Sequence, residues 1–202
     1  MTTRFMPSTR SLLLAVVAAL ATSFSHAELN SNQPEGSSFA AMPLTSLQAA
    51  AQTGEKSAQF YLANRYKQGQ GVAQDLTQAF NWYLKAAQNG AAAAMLNVGQ
   101  MYAEGRGTAQ NLPQAKLWLQ KAAQLGDNRA SYNLALLEER SQNLTDAYQW
   151  YDVSARDGML SEQVKGLAQG KIRKLAANLS IQDIQDARSR ADRWLQTSPA
   201  NR

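Results

Sequence analysis

The sequence repeats itself at a spacing of 36 residues, and this repetition constrains the fold more than any other feature. Two sets of residues recur at that spacing, namely Ala58, Leu62, Tyr66, Gly69 and Gly71 as Ala94, Val98, Tyr102, Gly105 and Gly107, and Asp75, Ala79, Trp82 and Gly90 as Asn111, Ala115, Trp118 and Gly126. A period of this size is typical of proteins built from stacked helical repeats. The repetition therefore predicts an all-α fold, a right-handed α-α solenoid with atypical capping helices at its ends.

A third and shorter copy follows the first two. Leu134 keeps the 36-residue spacing, whereas Trp150 follows at a spacing of 32, because four residues are missing where Gly-x-Gly would stand. Upstream, residues 50–54 match residues 86–90 and supply half a copy. We therefore predict an N-terminal capping helix at 44–54 and three repeats at about 55–90, 91–126 and 127–158.

Each copy is predicted to form two antiparallel helices. Apolar residues four apart lie on one face of the first helix. Paired glycines end this helix, because glycine accepts a positive φ. The predicted N-caps of the second helix are Asp75, Asn111 and Asn143. On the second helix, small residues and one tryptophan per copy are predicted to share one face and to pack in the protein core. The structural positions assigned in this way are Leu62, Tyr66, Gly69, Gly71, Trp82, Val98, Tyr102, Gly105, Gly107, Trp118, Leu134, Trp150 and, near the end of the chain, Trp194.

The C-terminal segment departs from the repeat. Residues 159–197 are predicted to form a variant helix pair, in which Gly166 and Gly170 weaken the first helix. Ser180 and Asp183 have the spacing of a capping box at the start of the second helix. Residues 198–202 are left as a tail.

The string from Ala58 to Gly90 resembles the Sel1-like repeat, a subclass of the tetratricopeptide repeat superfamily. The resemblance covers about residues 45–158 and departs from the family pattern at Ala63, where the family has glycine and the second copy has Gly99. It implies that the first helices line a concave groove. It also implies that the chain binds other proteins.

The first 43 residues do not fit the repeat pattern. Arg4 and Arg10 precede an apolar run at 12–21, and small residues flank His26. We interpret residues 1–27 as a signal peptide cleaved after Ala27, with an uncleaved anchor as the alternative, and residues 28–43 as a flexible linker. The expected location is the periplasm, with secretion as the alternative, and no transmembrane segment is expected after cleavage.

Composition argues against an enzyme. His26 is the one histidine and the chain has no cysteine, so a processed chain has neither imidazole nor thiolate for catalysis or metal binding. Glu138 and Glu139 are adjacent on a helix and therefore point about 100° apart, which does not make a facing acid/base pair. We expect no catalytic residues, no cofactor and no metal site.

Charge is distributed unevenly along the chain. After removal of Arg4 and Arg10 the formal charge is +3, and residues 159–202 hold 8 basic and 4 acidic side chains. A surplus this small argues against nucleic acid as a partner. It leaves open a contact between the C-terminal helices and an anionic surface, such as peptidoglycan, lipid or a secretion or motility assembly.

The function expected from these observations is a non-catalytic periplasmic scaffold or adaptor that binds a peptide or protein in the groove. The alternative is a structural component of the cell envelope that uses its basic C-terminal helices. The groove positions predicted from the helical spacing are Phe60, Asn64, Lys67, Leu96, Gln100, Tyr132, Leu136 and Glu139. Ala103 is the equivalent of Lys67 and Glu139 in the second copy. The same residues would equally suit packing between neighbouring repeats, and the sequence does not decide between the two.

Overall fold

A computed structural model describes residues 36–156 and 162–197, which form ten helices and no strand within those ranges. The helices are α1 Gly36–Ala41, α2 Leu44–Gln52, α3 Lys56–Gln68, α4 Leu76–Gln88, α5 Ala92–Glu104, α6 Leu112–Gln124, α7 Asn128–Arg140, α8 Leu144–Arg156, α9 Glu162–Ala176 and α10 Ile181–Thr197. The predicted signal peptide, the first part of the predicted linker, Gly158 and the tail lie outside the described residues.

Helix α1 lies in the segment that we expected to be a linker without regular structure, and it belongs to a unit that ends at Met42. Its sequence from Gly36 to Ala41 contains no proline. Pro43 follows, and proline both lacks an N–H and disfavours a helical residue before it. A short helix can therefore form before Pro43, and a new helix starts after it.

From Pro43 onward the helices pack in chain order, each against the next, as far as α8. The pairs α3–α4, α5–α6 and α7–α8 are the three repeats, with α2 packed on α3. This arrangement confirms the predicted all-α solenoid. Its core is lined by the recurring first-helix residues, since Leu62, Val98 and Leu134 are fully buried.

The turns inside the first two repeats follow the predicted chemistry. Gly69 and Gly105 end α3 and α5 in the left-handed conformation, with φ of 71° and 69°. Asp75 and Asn111 then cap the next helix, each accepting a hydrogen bond from a backbone N–H three residues on, at 2.9 and 3.0 Å. These two N-caps were predicted correctly. The third repeat joins its helices through residues 141–143 alone, where Gln142 has a φ of 63°.

The two C-terminal helices both pack against α8 rather than mainly against each other. Trp194 of α10 meets Trp150 of α8 edge to face, with ring centroids 4.8 Å apart. Arg190 of α10 pairs with Asp146 of α8 at 2.6 Å. Ser180 and Asp183 form the predicted capping box at the start of α10.

The recurring tryptophans differ in their surroundings. Trp82 is half-buried beneath the ammonium of Lys85, which lies 4.0 Å from the ring centroid, and Lys121 covers the buried Trp118 in the same way at 4.5 Å. In the third repeat the equivalent of these lysines is Val153, which is fully buried. Helix α10 therefore covers α8 at the place where lysine covers the ring in the two earlier repeats.

Candidate functional site

The predicted groove residues lie on α3, α5 and α7, which are the first helices of the three repeats. We call the surface that they share the first-helix face. Helix α5 contacts α7 directly, whereas the second helices of successive repeats have no comparable contact among the described residues. Side chains on the first-helix face can therefore reach from the second repeat to the third.

Three of the predicted groove residues, Phe60, Leu96 and Tyr132, hold one position of the repeat, and two of them are buried. Leu96 and Tyr132 are 5% and 7% exposed, and the ring of Tyr132 lies against Tyr151 with centroids 5.4 Å apart. Phe60 is half-buried beside Tyr83, at 5.7 Å between centroids. Leu96 and Tyr132 are therefore buried, Tyr132 against the second helix of its own repeat, whereas Phe60 and the half-buried Leu136 keep apolar surface.

Two side-chain hydrogen bonds join successive repeats across the first-helix face. The Nζ of Lys67 donates to Oδ1 of Asn97 at 3.0 Å, and Nε2 of Gln100 donates to Oδ1 of Asn133 at 3.2 Å. Each asparagine is oriented by its own helix, because its Nδ2 donates to the backbone carbonyl four residues earlier, at 2.8 and 2.7 Å. Asn97 and Asn133 thus form a repeated polar link, which we call the amide ladder.

Tyrosines of the second helices support the same face from behind. The hydroxyl of Tyr83 donates to Oδ1 of Asn64 at 2.5 Å, and that of Tyr151 donates to Oε2 of Glu139 at 2.6 Å. Burial raises the pKa of both tyrosines, and the bond to the Glu139 carboxylate raises the pKa of Tyr151 further. Both phenols therefore remain neutral donors. They hold the oxygen atoms of Asn64 and Glu139 in fixed positions.

Glu139, the equivalent of Lys67 in the third repeat, makes an ion pair with α9. Lys171 of α9 donates to its two carboxylate oxygens at 2.9 and 2.8 Å. Burial alone would raise the pKa of Glu139, but the hydrogen bonds from Lys171 and Tyr151 outweigh burial and lower it. The neighbouring Glu138 points elsewhere, toward Lys116 of α6 at 2.5 Å. The two adjacent carboxylates therefore have separate partners, as their helical spacing predicts.

The surroundings of Lys67 disfavour its positive charge. Burial lowers its pKa, and the nearby positive charge of Arg106 lowers it further, with Glu104 acting in the opposite direction. Its hydrogen-bond acceptor is the neutral amide of Asn97 rather than a carboxylate. Desolvation and a like charge both disfavour the charged form of a lysine. A half-buried positive charge therefore lies at the α3 end of the first-helix face.

Two polar groups on this face keep hydrogen-bonding capacity. Asn64 uses its Oδ1 for Tyr83, and Gln100 uses its Nε2 for Asn133. The amide NH₂ of Asn64 and the amide oxygen of Gln100 have no hydrogen-bond partner among the described residues. An amide donor in one repeat and an amide acceptor in the next can bond to the carbonyl and N–H groups of an extended backbone.

Sequence reasoning missed several residues that organise the site. Asn97 and Asn133 could have been predicted, because they recur at the 36-residue spacing and lie one helical turn from predicted groove positions. Tyr83 and Tyr151 also occupy one repeat position, which Leu119 fills in the second repeat. Lys171 carries no such signal, since α9 departs from the repeat. Only its place in the fold brings it to Glu139.

Two further observations concern the described ranges. No helix there is both long enough and apolar enough to cross a bilayer. In residues 36–156 and 162–197, the acidic side chains do not come together in a group of three that could hold a metal ion.

Comparison with known proteins identifies what the repeat resembles. Three segments match the Sel1 repeat, at residues 56–90, 92–127 and 128–159, which confirms the resemblance inferred from the residues. The chain is similar to the crystal structure of a Sel1 repeat protein from Oxalobacter formigenes, with 27% identity and a TM-score of 0.54 over 69% of this chain and 65% of that one. It is also similar to c5321, a protective antigen from uropathogenic Escherichia coli described as having an SLR fold, with 22% identity and a TM-score of 0.48 over 78% of this chain and 42% of that one.

This chain therefore spans less than two thirds of the length of either similar structure. No curated protein sequence matches it.

Proposed function

This chain belongs to the Sel1 repeat family, and we propose that it is a non-catalytic scaffold that binds an extended peptide segment of a protein along the first-helix face. The observation that supports this proposal most directly is the pair of unused amide groups on Asn64 and Gln100. Both side chains are fixed by bonds within the fold, so they lose little conformational entropy when a peptide binds.

The apolar part of the contact is assigned to Phe60 and Leu136, since both are half-buried on this face. Leu96 and Tyr132 act behind the surface as packing residues. An extended peptide gains affinity from main-chain hydrogen bonds and specificity from side-chain pockets. The proposed site combines one apolar contact near each end with polar groups between them.

The proposal includes export to the periplasm, which rests on the arginines and apolar run of the first 27 residues. Expression of the full chain in a Gram-negative host, followed by osmotic-shock fractionation and mass spectrometry of the N-terminus, tests it. A periplasmic product that begins at Glu28 is expected. A cytoplasmic product that retains residues 1–27 would contradict export and leave the binding proposal intact.

Binding is tested by selection of random peptides displayed on phage against residues 28–202, followed by calorimetry with the selected peptides. Phe60→Ala and Gln100→Ala are expected to weaken binding about tenfold or more each, as for a lost aromatic contact and a lost hydrogen bond. Asn81→Ala, at an exposed position on α4, is the matched control and is expected to bind normally. Selected peptides whose affinity is unchanged by both groove variants would refute the proposal.

The cell-envelope alternative has less support from the contacts of the C-terminal helices. Lys171, Arg188 and Arg190 already bind Glu139, Tyr148 and Asp146 within the chain. Three of the eight basic side chains at 159–202 are therefore already engaged within the chain. Salt-sensitive sedimentation of the protein with purified envelope would favour the alternative.

A further inference from the structure

The two junctions between repeats can be compared residue by residue, because equivalent positions are 36 apart. At the first junction, Phe80 of α4 meets Tyr102 of α5 edge to face, with ring centroids 5.0 Å apart. At the second junction the equivalent residues are Lys116 of α6 and Glu138 of α7, whose charged groups lie 2.5 Å apart. An aromatic pair at one junction is thus replaced by an ion pair at the next.

The replacement changes what happens when the junction opens. The side chain of Glu138 is 3% exposed and that of Lys116 is 40% exposed, so a carboxylate is kept largely out of water when the junction is closed. Desolvation of such a carboxylate offsets much of its attraction to the lysine. Opening rehydrates both charges, whereas separation of Phe80 from Tyr102 exposes apolar surface to water. The Lys116–Glu138 pair therefore resists opening less than the Phe80–Tyr102 pair does.

A backbone contact is also missing from the second junction. At the first junction, the loop at 105–111 lies so close to α4 that a Cβ added to Gly107 would overlap the carbonyl oxygen of Leu76. The turn at 141–143 is four residues shorter and has no residue equivalent to Gly107. Leu112, the equivalent of Leu76, is 38% exposed. The loop that would cover it is absent from the third repeat.

The first residue of α7, the helix that follows this junction, is a buried polar residue. Asn128 is 3% exposed, and neither its amide nitrogen nor its amide oxygen has a hydrogen-bond partner among the described residues. Ala92 holds the equivalent position at the start of α5. Burial of an unpaired amide is unfavourable, and alanine avoids that cost.

Beyond the second junction the chain is held together firmly. Helices α9 and α10 are joined to the third repeat through Lys171–Glu139, Arg190–Asp146 and Trp194–Trp150. We propose that the solenoid flexes between α6 and α7, with residues 44–126 moving as one body and the third repeat with α9 and α10 as the other. The hydrogen bond from Gln100 to Asn133 crosses this hinge, so flexing alters the first-helix face. The hinge does not depend on peptide binding.

Electron–electron double resonance on the full chain tests the hinge, since the sequence contains no native cysteine to interfere with labelling. Spin labels on cysteines at Ala73 and Ala109 span the first junction, and labels at Ala109 and Ser141 span the second; all three positions are exposed. We expect a narrow distance distribution for the first pair and a broader one, with a longer-distance population, for the second.

Two exchanges of the junction residues complete the test. Lys116→Phe with Glu138→Tyr copies the first junction and is expected to narrow the second distribution. Phe80→Lys with Tyr102→Glu makes the reverse exchange and is expected to broaden the first. Equal widths for the two label pairs in the unmodified chain would overturn the proposal. So would a second distribution that stays broad in a folded Lys116→Phe/Glu138→Tyr protein.

Discussion

The ammonium of Lys171 lies 2.8 Å from Oε2 of Glu139, and this ion pair joins α9 to the first helix of the third repeat. The hydroxyl of Tyr151 donates to the same oxygen at 2.6 Å. A helix that departs from the repeat pattern is thus attached at a position of the repeat.

Glu139 is expected to make stability depend on pH in acid. Its pKa in the folded chain lies below the usual carboxyl value, so it binds fewer protons there than in the unfolded chain. Its stabilisation is therefore fully present above its unfolded pKa and is lost as the pH falls through its folded pKa. We expect Glu139→Gln to lower the free energy of unfolding by about 1 kcal/mol at neutral pH, a modest value because the ion pair is partly exposed. In acid the loss is expected to be smaller, because the carboxylate is then protonated in the unmodified chain as well.

Urea unfolding of both proteins from pH 3 to pH 7 measures this difference. Glu162→Gln is the control, since that side chain is 88% exposed and its contact with Lys165 is 3.5 Å long. The role assigned to Glu139 would be contradicted if the free energies of unfolding of the unmodified chain and of Glu139→Gln differed by the same amount at every pH in this range.

Gly107 and Gly71 offer a matched test of how closely the repeats approach. Both have a φ of 72°, but an added Cβ at Gly71 meets only the Arg65 side chain at 3.5 Å, whereas at Gly107 it overlaps the Leu76 backbone. Gly71→Ala is expected to cost about 1 kcal/mol, from the left-handed backbone alone. Gly107→Ala is expected to cost about 3 kcal/mol or more, because the loop at 105–111 and α4 must also move apart.

Thermal unfolding followed by circular dichroism compares the two glycine variants. A lower midpoint for Gly107→Ala than for Gly71→Ala is the expected order. Equal midpoints would mean that the loop at 105–111 is not pressed against α4.

Val153 and Lys85 occupy the same position of the repeat, but Val153 is buried and Lys85 is exposed. Val153 is fully buried on α8, against which α10 packs, whereas Lys85 is exposed above the ring of Trp82. Val153→Lys is expected to cost about 3 kcal/mol or more, since it buries an unpaired charge. Lys85→Val is expected to cost less than about 1 kcal/mol, the value of an exposed cation–π contact.

Urea unfolding followed by tryptophan fluorescence checks this pair, because Val153→Lys should also release Trp194 from Trp150. A Val153→Lys protein as stable as the unmodified chain would show that α10 does not cover α8 in solution.

The repeat period was enough to predict the helices of the three repeats, the turns inside the first two and two of the N-caps. It succeeded because Gly69, Gly105, Asp75 and Asn111 act locally, through the conformation of one residue or a bond to a neighbouring turn. Exposure was harder to predict. Phe60, Leu96 and Tyr132 share a repeat position, yet the surroundings that bury Leu96 and Tyr132 leave part of Phe60 at the surface.

Contacts between repeats could be predicted only in part. The 36-residue spacing makes Lys116 equivalent to Phe80 and Glu138 equivalent to Tyr102, but it does not show that Phe80 meets Tyr102, or that Lys116 meets Glu138, across a junction. Lys171 lies on α9, whose register against the third repeat follows from packing on α8 rather than from the period. Side chains that act across the solenoid therefore required the structure.

Photo-crosslinking of a selected peptide tests the central claim that the first-helix face is the binding surface. Benzoylphenylalanine is introduced at Ala103, on α5 between the positions of Lys67 and Glu139 in the repeat, or at the exposed Asn81 of α4 as the control. We predict that the peptide crosslinks to the probe at position 103 and not to the probe at position 81. Crosslinking at position 81 with none at position 103 would place the binding surface on the second helices and contradict the account.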